Sequence, residues 1–285
     1  MIRSIKFYTK MLLKFIKHDT VSKDDYGKAY DLVSKTYHLW LDQMSRYTDR
    51  IIRKDHQKDS KILDLACGSG YITKSLLDGD ESLKLTSVDI SSDMLSSMDE
   101  MTNVTAVQSD GIEFLKADKT IYDAIYCGWA LPYFDHDELI NSVHKHLTHE
   151  GTVSVISNSK GTLSGIENIF LNVMKHHQKE IHRPMEIKFN LPNGKNGLTK
   201  WFEKHGFEPM VVEEDEVVFS FDTPEELHEW LSQTGAIAGT KEIFKDYNNV
   251  KKHVIDEIKR KKCQDGQYSI NHKFVYGIFR KAGKI

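Results

Sequence analysis

The sequence predicts an α/β protein built around a mostly parallel sheet, and three observations carry that reading. Lys61-Ile62-Leu63-Asp64-Leu65-Ala66-Cys67-Gly68-Ser69-Gly70 reads as a buried strand that carries an acidic residue near its end and breaks into a small, Gly-rich turn. A helix-like run, Tyr71 to Leu77, follows at once, which is the geometry that seats a nucleotide-like ligand on backbone N–H groups at a helix N-terminus. A second apolar run, Leu83 to Ile90, places Asp89 roughly 20 residues past the glycines, where a Rossmann-like unit holds the carboxylate that grips ribose hydroxyls.

Ahead of that unit lie two helical stretches. Residues 1–17 contain Arg3, Lys6, Lys10, Lys14 and Lys17 and no acid, interleaved with Ile2, Ile5, Met11, Leu12, Leu13, Phe15 and Ile16. No small-residue cleavage site follows, so the segment does not read as a signal peptide. A basic amphipathic helix of this kind lies on a membrane surface, docks on a partner or packs on its own domain. Over residues 24–53, Tyr26, Tyr30, Val33, Tyr37, Trp40, Met44, Tyr47 and Ile51 recur at spacings of four and three and share one helical face.

The turn is neither a dinucleotide G-x-G-x-x-G, since Ala66 holds the first small position, nor a P-loop, since no Gly-Lys-Ser/Thr closes it. With Asp64, Ala66, Gly68, Gly70 and Asp89, it resembles the class I S-adenosylmethionine-dependent methyltransferases. Ser109-Asp110-Gly111 matches their Asp after strand 3, and Tyr122 to Cys127 matches strand 4. Leu147-Thr148-His149-Glu150-Gly151 and then Thr152 to Ser157 match a helix end, a Gly turn and strand 5. The resemblance covers residues 60–160 well and the rest loosely, and Ala66 for Gly is a small departure. It implies a Rossmann-like, seven-stranded, mostly parallel sheet with an antiparallel last strand, an N-terminal helical lid over residues 1–55, a cofactor core over 56–160, and sheet completion with specificity helices over 161–285, in one domain overall. It also implies S-adenosyl-L-methionine as cofactor, bound by Asp64, Ala66, Cys67, Gly68, Gly70, Asp89, Ile90, Met94, Asp110, Gly111 and Cys127, with the adenine at Asp110 and Gly111. In a lid, the aromatic face of Tyr30 and Tyr37 would serve substrate and sulfonium, since rings stabilise a cation; the same stripe would serve equally as plain core.

Strand 4 runs into Cys127-Gly128-Trp129-Ala130-Leu131-Pro132-Tyr133-Phe134. Ligands of open α/β sheets lie beyond the carboxyl ends of the strands, so this aromatic loop is the expected floor of an acceptor site, with Trp129 lining it or packing as core. The Asp/Asn-Pro-Pro-Tyr/Phe motif of DNA and protein-release amide methyltransferases is absent here, which argues against amide or base-amino methylation. Tyr133 and His136, with Asp135, are candidates for a general base by location, needed only if the nucleophile arrives protonated.

Downstream, Gly165 to Glu180 and Gly197 to His205 read as helices, and Phe207 to Val212, extending toward Phe221, reads as strand 6. Thr223-Pro224-Glu225-Glu226 is a helix start, with a capping Thr and Pro at the first position, for a helix ending at Gln233. A further helix is predicted over 241–262, and an alternating strand over Tyr268 to Arg280. The histidines His144 and His146, and His176 and His177, split onto different faces and come without Cys-x-x-Cys or His-Glu-x-x-His, so no metal is expected.

Composition fits this reading. The 285 residues are 39% hydrophobic and 28% charged, as in a soluble globular protein. A net charge of −3 gives no global attraction to nucleic acid. Three cysteines without metal spacing suit a reducing cytoplasm. The function expected is methyl transfer to an oxygen or nitrogen of a small molecule; the alternative is a non-catalytic or regulatory protein that binds S-adenosylmethionine through the same fold.

Overall fold

The computed structural model describes residues 7, 9, 11–14, 16, 17, 19–21, 25, 36–98, 101–185, 190–237 and 239–283. The chain forms two compact units. One comprises Leu41–Thr162, Phe189–Glu216 and Lys273–Ile285, and the other Met1–Trp40, Leu163–Lys188 and Val217–His272.

The first unit is organised by a sheet. Its strands are β1 (Lys61–Leu65), β2 (Lys84–Asp89), β3 (Val104–Gln108), β4 (Tyr122–Gly128), β5 (Leu147–Asn158), β6 (Phe207–Phe221), β7 (Cys263–Gln264) and β8 (Gln267–Lys281), in the order β3-β2-β1-β4-β5-β8-β6, with β7 paired to β8. The β1–β2, β2–β3, β1–β4 and β4–β5 pairs are parallel, and β8 runs antiparallel to β5. The last residues of β6, 217–221, all of β7 and the first residues of β8, 267–272, belong to the second unit. Strand order reverses between β1 and β4, and that switch point opens the crevice in which such sheets bind ligands.

The inner strands read as near-continuous apolar runs because helices cover both faces of a parallel sheet. Leu63, Leu65, Val88, Ile125, Val153 and Val155 are buried in one cluster with Leu139, Ile140 and Val143 of helix α5 (His136–His146), Phe202 of α7 (Gly194–Glu203) and Phe279 of β8. The remaining helices of this unit are α2 (Tyr71–Leu77), α3 (Ser92–Leu95) and α4 (Gly111–Ala117). Helix α1 (Tyr37–Thr48) precedes them and begins in the other unit. Its stripe is buried at Trp40, Met44 and Tyr47, and Ile51 follows in a single 3-10 turn. Tyr26, Tyr30 and Val33 lie outside the described residues, as does the side chain of Tyr37.

The second unit contains α6 (Ile166–His176), α8 (Pro224–Gln233) and α9 (Asn248–Lys262). Helix α8 starts and stops where its sequence says it should. The Thr223 hydroxyl accepts from the Glu226 amide, the Glu226 carboxylate accepts from the Thr223 amide, and Pro224 opens the first turn.

Several boundaries move. The helix expected from Lys241 begins at Asn248, because Thr240–Ile243 forms a 3-10 turn and Phe244 is extended. Helix α7 starts at Gly194, three residues ahead of the expected Gly197. Strand β5 begins at Leu147, and the left-handed residue before its main run is Glu150, at φ 72°, rather than Gly151. Among the described residues the sheet has eight strands instead of seven because Asp265 (φ 51°) and Gly266 (φ 81°) make a two-residue hairpin that pairs β7 with β8.

Candidate active site

Strand β1 delivers Asp64 to the carboxyl end of the sheet with no exposed surface. Its Oδ2 accepts from the Thr73 amide at 3.2 Å and the Thr73 hydroxyl at 2.7 Å. Having given its proton to Asp64, that hydroxyl accepts from Ser87 Oγ of β2 at 2.8 Å. Asp64 Oδ1 is buried and has no hydrogen-bond partner among the described residues. Burial pushes the Asp64 carboxyl up to about 7, against the opposing hydrogen bonds from Thr73.

The turn that follows is left-handed at Ala66 (φ 56°), Gly68 (φ 54°) and Gly70 (φ 78°). Gly70 needs glycine twice, since a Cβ there would also stand 2.3 Å from Met98 Sδ. At Gly68 only the backbone demands it: a Cβ would meet nothing within 4 Å, so the space over this residue is open. Ala66 sits in the conformation that glycine adopts without cost, a penalty of about 1–2 kcal/mol for an L-residue. Because its methyl also packs on the core, Ala66→Gly is expected to be between neutral and about 1 kcal/mol stabilising. Urea denaturation checks this, and a loss beyond about 1 kcal/mol would mean that methyl packing outweighs backbone strain.

The amides of the turn face inward. Cys67 N–H donates to Val88 O at 3.0 Å, Gly70 N–H to Cys67 O at 3.0 Å, and Gly68 N–H to Asp89 Oδ2 at 2.8 Å. They are used within the chain, and the turn is no phosphate nest of the P-loop kind. Asp89 also accepts from the Ser91 amide through Oδ1 at 2.9 Å, which ties the end of β2 to both turns. Ile90 follows half-buried, and Met94 is buried with its amide on the Ser91 hydroxyl.

After β3, Asp110 caps α4. Its Oδ1 accepts from Ile112 and Glu113 amides at 2.9 and 3.2 Å. Gly111 is buried, and a Cβ on it would stand 3.1 Å from Leu65 and from the Phe134 ring. Cys127 is buried in β4, and burial holds its thiol up to about 12. Desolvation likewise pushes the Cys67 thiol upward, so neither cysteine is an activated nucleophile.

Trp129 leaves β4 with φ 63°, a conformation that costs a bulky residue and clusters at functional sites. It is 7% exposed, its indole N–H donates to Thr48 Oγ1 at 3.0 Å, and its ring meets Phe274 edge-on at 5.4 Å. Tyr133 is half-buried against the core cluster. His136 lies over Trp201, with ring centroids 3.9 Å apart; burial lowers its pKa, and its Nε2 has no partner among the described residues. Sequence reasoning missed Thr73, Ser87, Thr48 and Met98. Each is an ordinary residue whose role arises only when β1, β2 and the helices are brought together.

A buried carboxyl with an orphaned oxygen, open space over Gly68 and a turn that offers no phosphate nest fit a cationic, phosphate-free nucleoside. Comparison with known proteins agrees. Residues 62–151 match the family described as a methyltransferase domain. No curated protein gives a significant sequence match. Among solved structures, YcgJ of Bacillus subtilis is 14% identical with a TM-score of 0.53, covering 88% of this chain and 99% of that one. Phosphoethanolamine N-methyltransferase 2 of Haemonchus contortus, solved with phosphomonomethylethanolamine and S-adenosylhomocysteine, is 16% identical with a TM-score of 0.52, covering 89% of this chain. The chain spans only 58% of the length of that nematode chain. At these identities the structural likeness is one of fold. The domain match makes residues 62–151 a methyltransferase domain, of the kind that uses S-adenosyl-L-methionine, set in a Rossmann-like fold shared with these solved structures.

Proposed function

We propose that the methyl acceptor is a nitrogen or oxygen nucleophile of a small molecule, held beyond the carboxyl ends of β1 and β4. Asp64 carries the reading of the site. Its unpartnered buried oxygen, next to a turn without a phosphate nest, suits the positive charge of the cofactor. When bound, S-adenosyl-L-methionine supplies a methyl group on a sulfonium leaving group. Asp64, Ala66, Cys67, Gly68 and Gly70 would hold its amino-acid end, Asp89, Ile90 and Met94 its ribose, and Asp110, Gly111 and Cys127 its base.

Trp129 and Tyr133 line the acceptor side, where fixing a nucleophile in line and excluding water supply most of the rate. For a protonated acceptor, His136, kept neutral by burial, or Tyr133 takes the proton. Two features favour a small molecule over nucleic acid. The loop after β4 lacks the Pro-Pro-aromatic motif, and the unit holding the site carries 26 acidic against 19 basic side chains, which repels phosphates. The test is transfer of labelled methyl to panels of amines, carboxylates and phenols, beside RNA, DNA and protein. Turnover confined to the macromolecules would sink the proposal.

Asp89→Ala is expected to lower affinity for S-adenosylhomocysteine at least tenfold, since truncation strands two amides and removes the ribose acceptor at about 1–3 kcal/mol for each unsatisfied group. Calorimetry with S-adenosylhomocysteine and its ribose-dideoxy analogue separates the two effects. If Asp89 grips the hydroxyls, the parent discriminates between the ligands and the variant does not. Equal discrimination in both would place the ribose elsewhere.

A further inference from the structure

The helical residues near the start of the chain present two apolar faces, and the core needs only one. Phe7 and Met11, one turn apart, are buried at 1% and 6% exposure. Leu12, Leu13 and Ile16 point the other way and are 59%, 53% and 65% exposed. At i, i+1 and i+4 they fall within about 100° of one another around a helix and so share one apolar face. Exposed Lys17 borders it, and the sequence adds Arg3, Lys6 and Lys10 with no acid before Asp19. Lys14 is drawn inward by Asp19 and the His182 carbonyl, so it braces the helix rather than serving the stripe.

The charge around this stripe selects its occupant. The unit that contains it carries 20 basic against 16 acidic side chains, the reverse of the unit that holds the active site. No described helix is long and apolar enough to cross a membrane. An apolar stripe of three large side chains, in a segment whose sequence is rich in cations and poor in acids, is suited to lying in the headgroup region of an anionic bilayer.

We propose that the helical segment carrying Leu12, Leu13 and Ile16 is an interfacial anchor, with these three side chains inserted among the acyl chains of an anionic lipid surface and Lys17 at the headgroups. This proposal is independent of which acceptor is methylated. The test is co-sedimentation of the full chain with vesicles of phosphatidylcholine alone or with about a third phosphatidylglycerol. Binding is expected to the anionic vesicles, at least tenfold weaker to the neutral ones, and weakened several-fold when salt rises from 0.1 to 0.5 M. The triple variant Leu12→Ser, Leu13→Ser, Ile16→Ser is expected to lose at least tenfold in partitioning while keeping the parent's melting temperature, because these side chains are already exposed. Lys17→Gln gives a milder loss and keeps the test open if the triple variant misfolds. Absence of binding to anionic vesicles, or binding that survives both variants, would overturn the proposal. So would a self-association lost in the triple variant without any vesicle binding, which would assign the stripe to a second copy of the chain.

Discussion

Asp64→Asn is expected to make the ligand-free protein more stable at pH 8 and, at the same time, to weaken cofactor binding by tenfold or more. Burial raises the folded-state carboxyl to about 7 from an ordinary value of 3.8. Between those two values the folded protein binds more protons than the unfolded chain, so stability falls as pH rises through that window and is lowest above it. Three pH units correspond to about 4 kcal/mol, from which the asparagine must give back about 1–3 kcal/mol for an amide group left unpaired where Oδ1 stands. A net gain of about 1–3 kcal/mol at pH 8, shrinking to nothing or reversing at pH 5, should appear in urea denaturation. A ligand's positive charge near Oδ1 favours the ionised form. Affinity for S-adenosylhomocysteine should therefore climb from pH 5 to 7.5 in the parent and stay flat in the variant. A parent whose stability and affinity share the variant's pH dependence would show that Asp64 is ionised throughout and faces no ligand charge.

Why Asp64 could be found in the sequence, and its behaviour could not, follows from the kind of signal each leaves. The turn is written in adjacent residues, with an acid at 64, small residues at 66, 68 and 70, and a helix from 71; their φ values then fall where those residue types allow. Asp89 could be placed by spacing alone, and helix α8 by its cap, because both are local chemistry. The Thr73 and Ser87 hydroxyls that hold Asp64 come from two other elements and leave no pattern in the chain. The inward use of the turn amides was hidden for the same reason, since Gly68 finds Asp89 only after β1 and β2 pair. The hairpin of β7 and β8 is a different case. Asp265-Gly266 is a strong two-residue turn signal that lay in plain view between a helix and an alternating strand. The start of α9 was misplaced because Phe244 and Tyr247 fit a helical stripe while Phe244 is in fact extended.

Trp129→Ala separates packing from catalysis at a position where a bulky side chain sits on left-handed backbone. The indole is 7% exposed, donates to Thr48, and abuts Phe274, so truncation should cost about 3–5 kcal/mol as a large-to-small core change. Alanine keeps a Cβ at φ 63°, so backbone strain remains; Trp129→Gly should recover about 1 kcal/mol of that loss without restoring any ring contact. Trp129→Phe keeps most of the packing and loses the bond to Thr48. If the ring orients the acceptor, the alanine and glycine variants, assayed well below their melting temperatures, should lose at least tenfold in kcat while S-adenosylhomocysteine affinity stays within about twofold, because misalignment of the reacting atoms raises the barrier without touching cofactor contacts. The phenylalanine variant should then retain most of the turnover. Folded alanine variant that turns over like the parent would make Trp129 a core residue alone, and the acceptor pocket would have to be built from other side chains beyond β4.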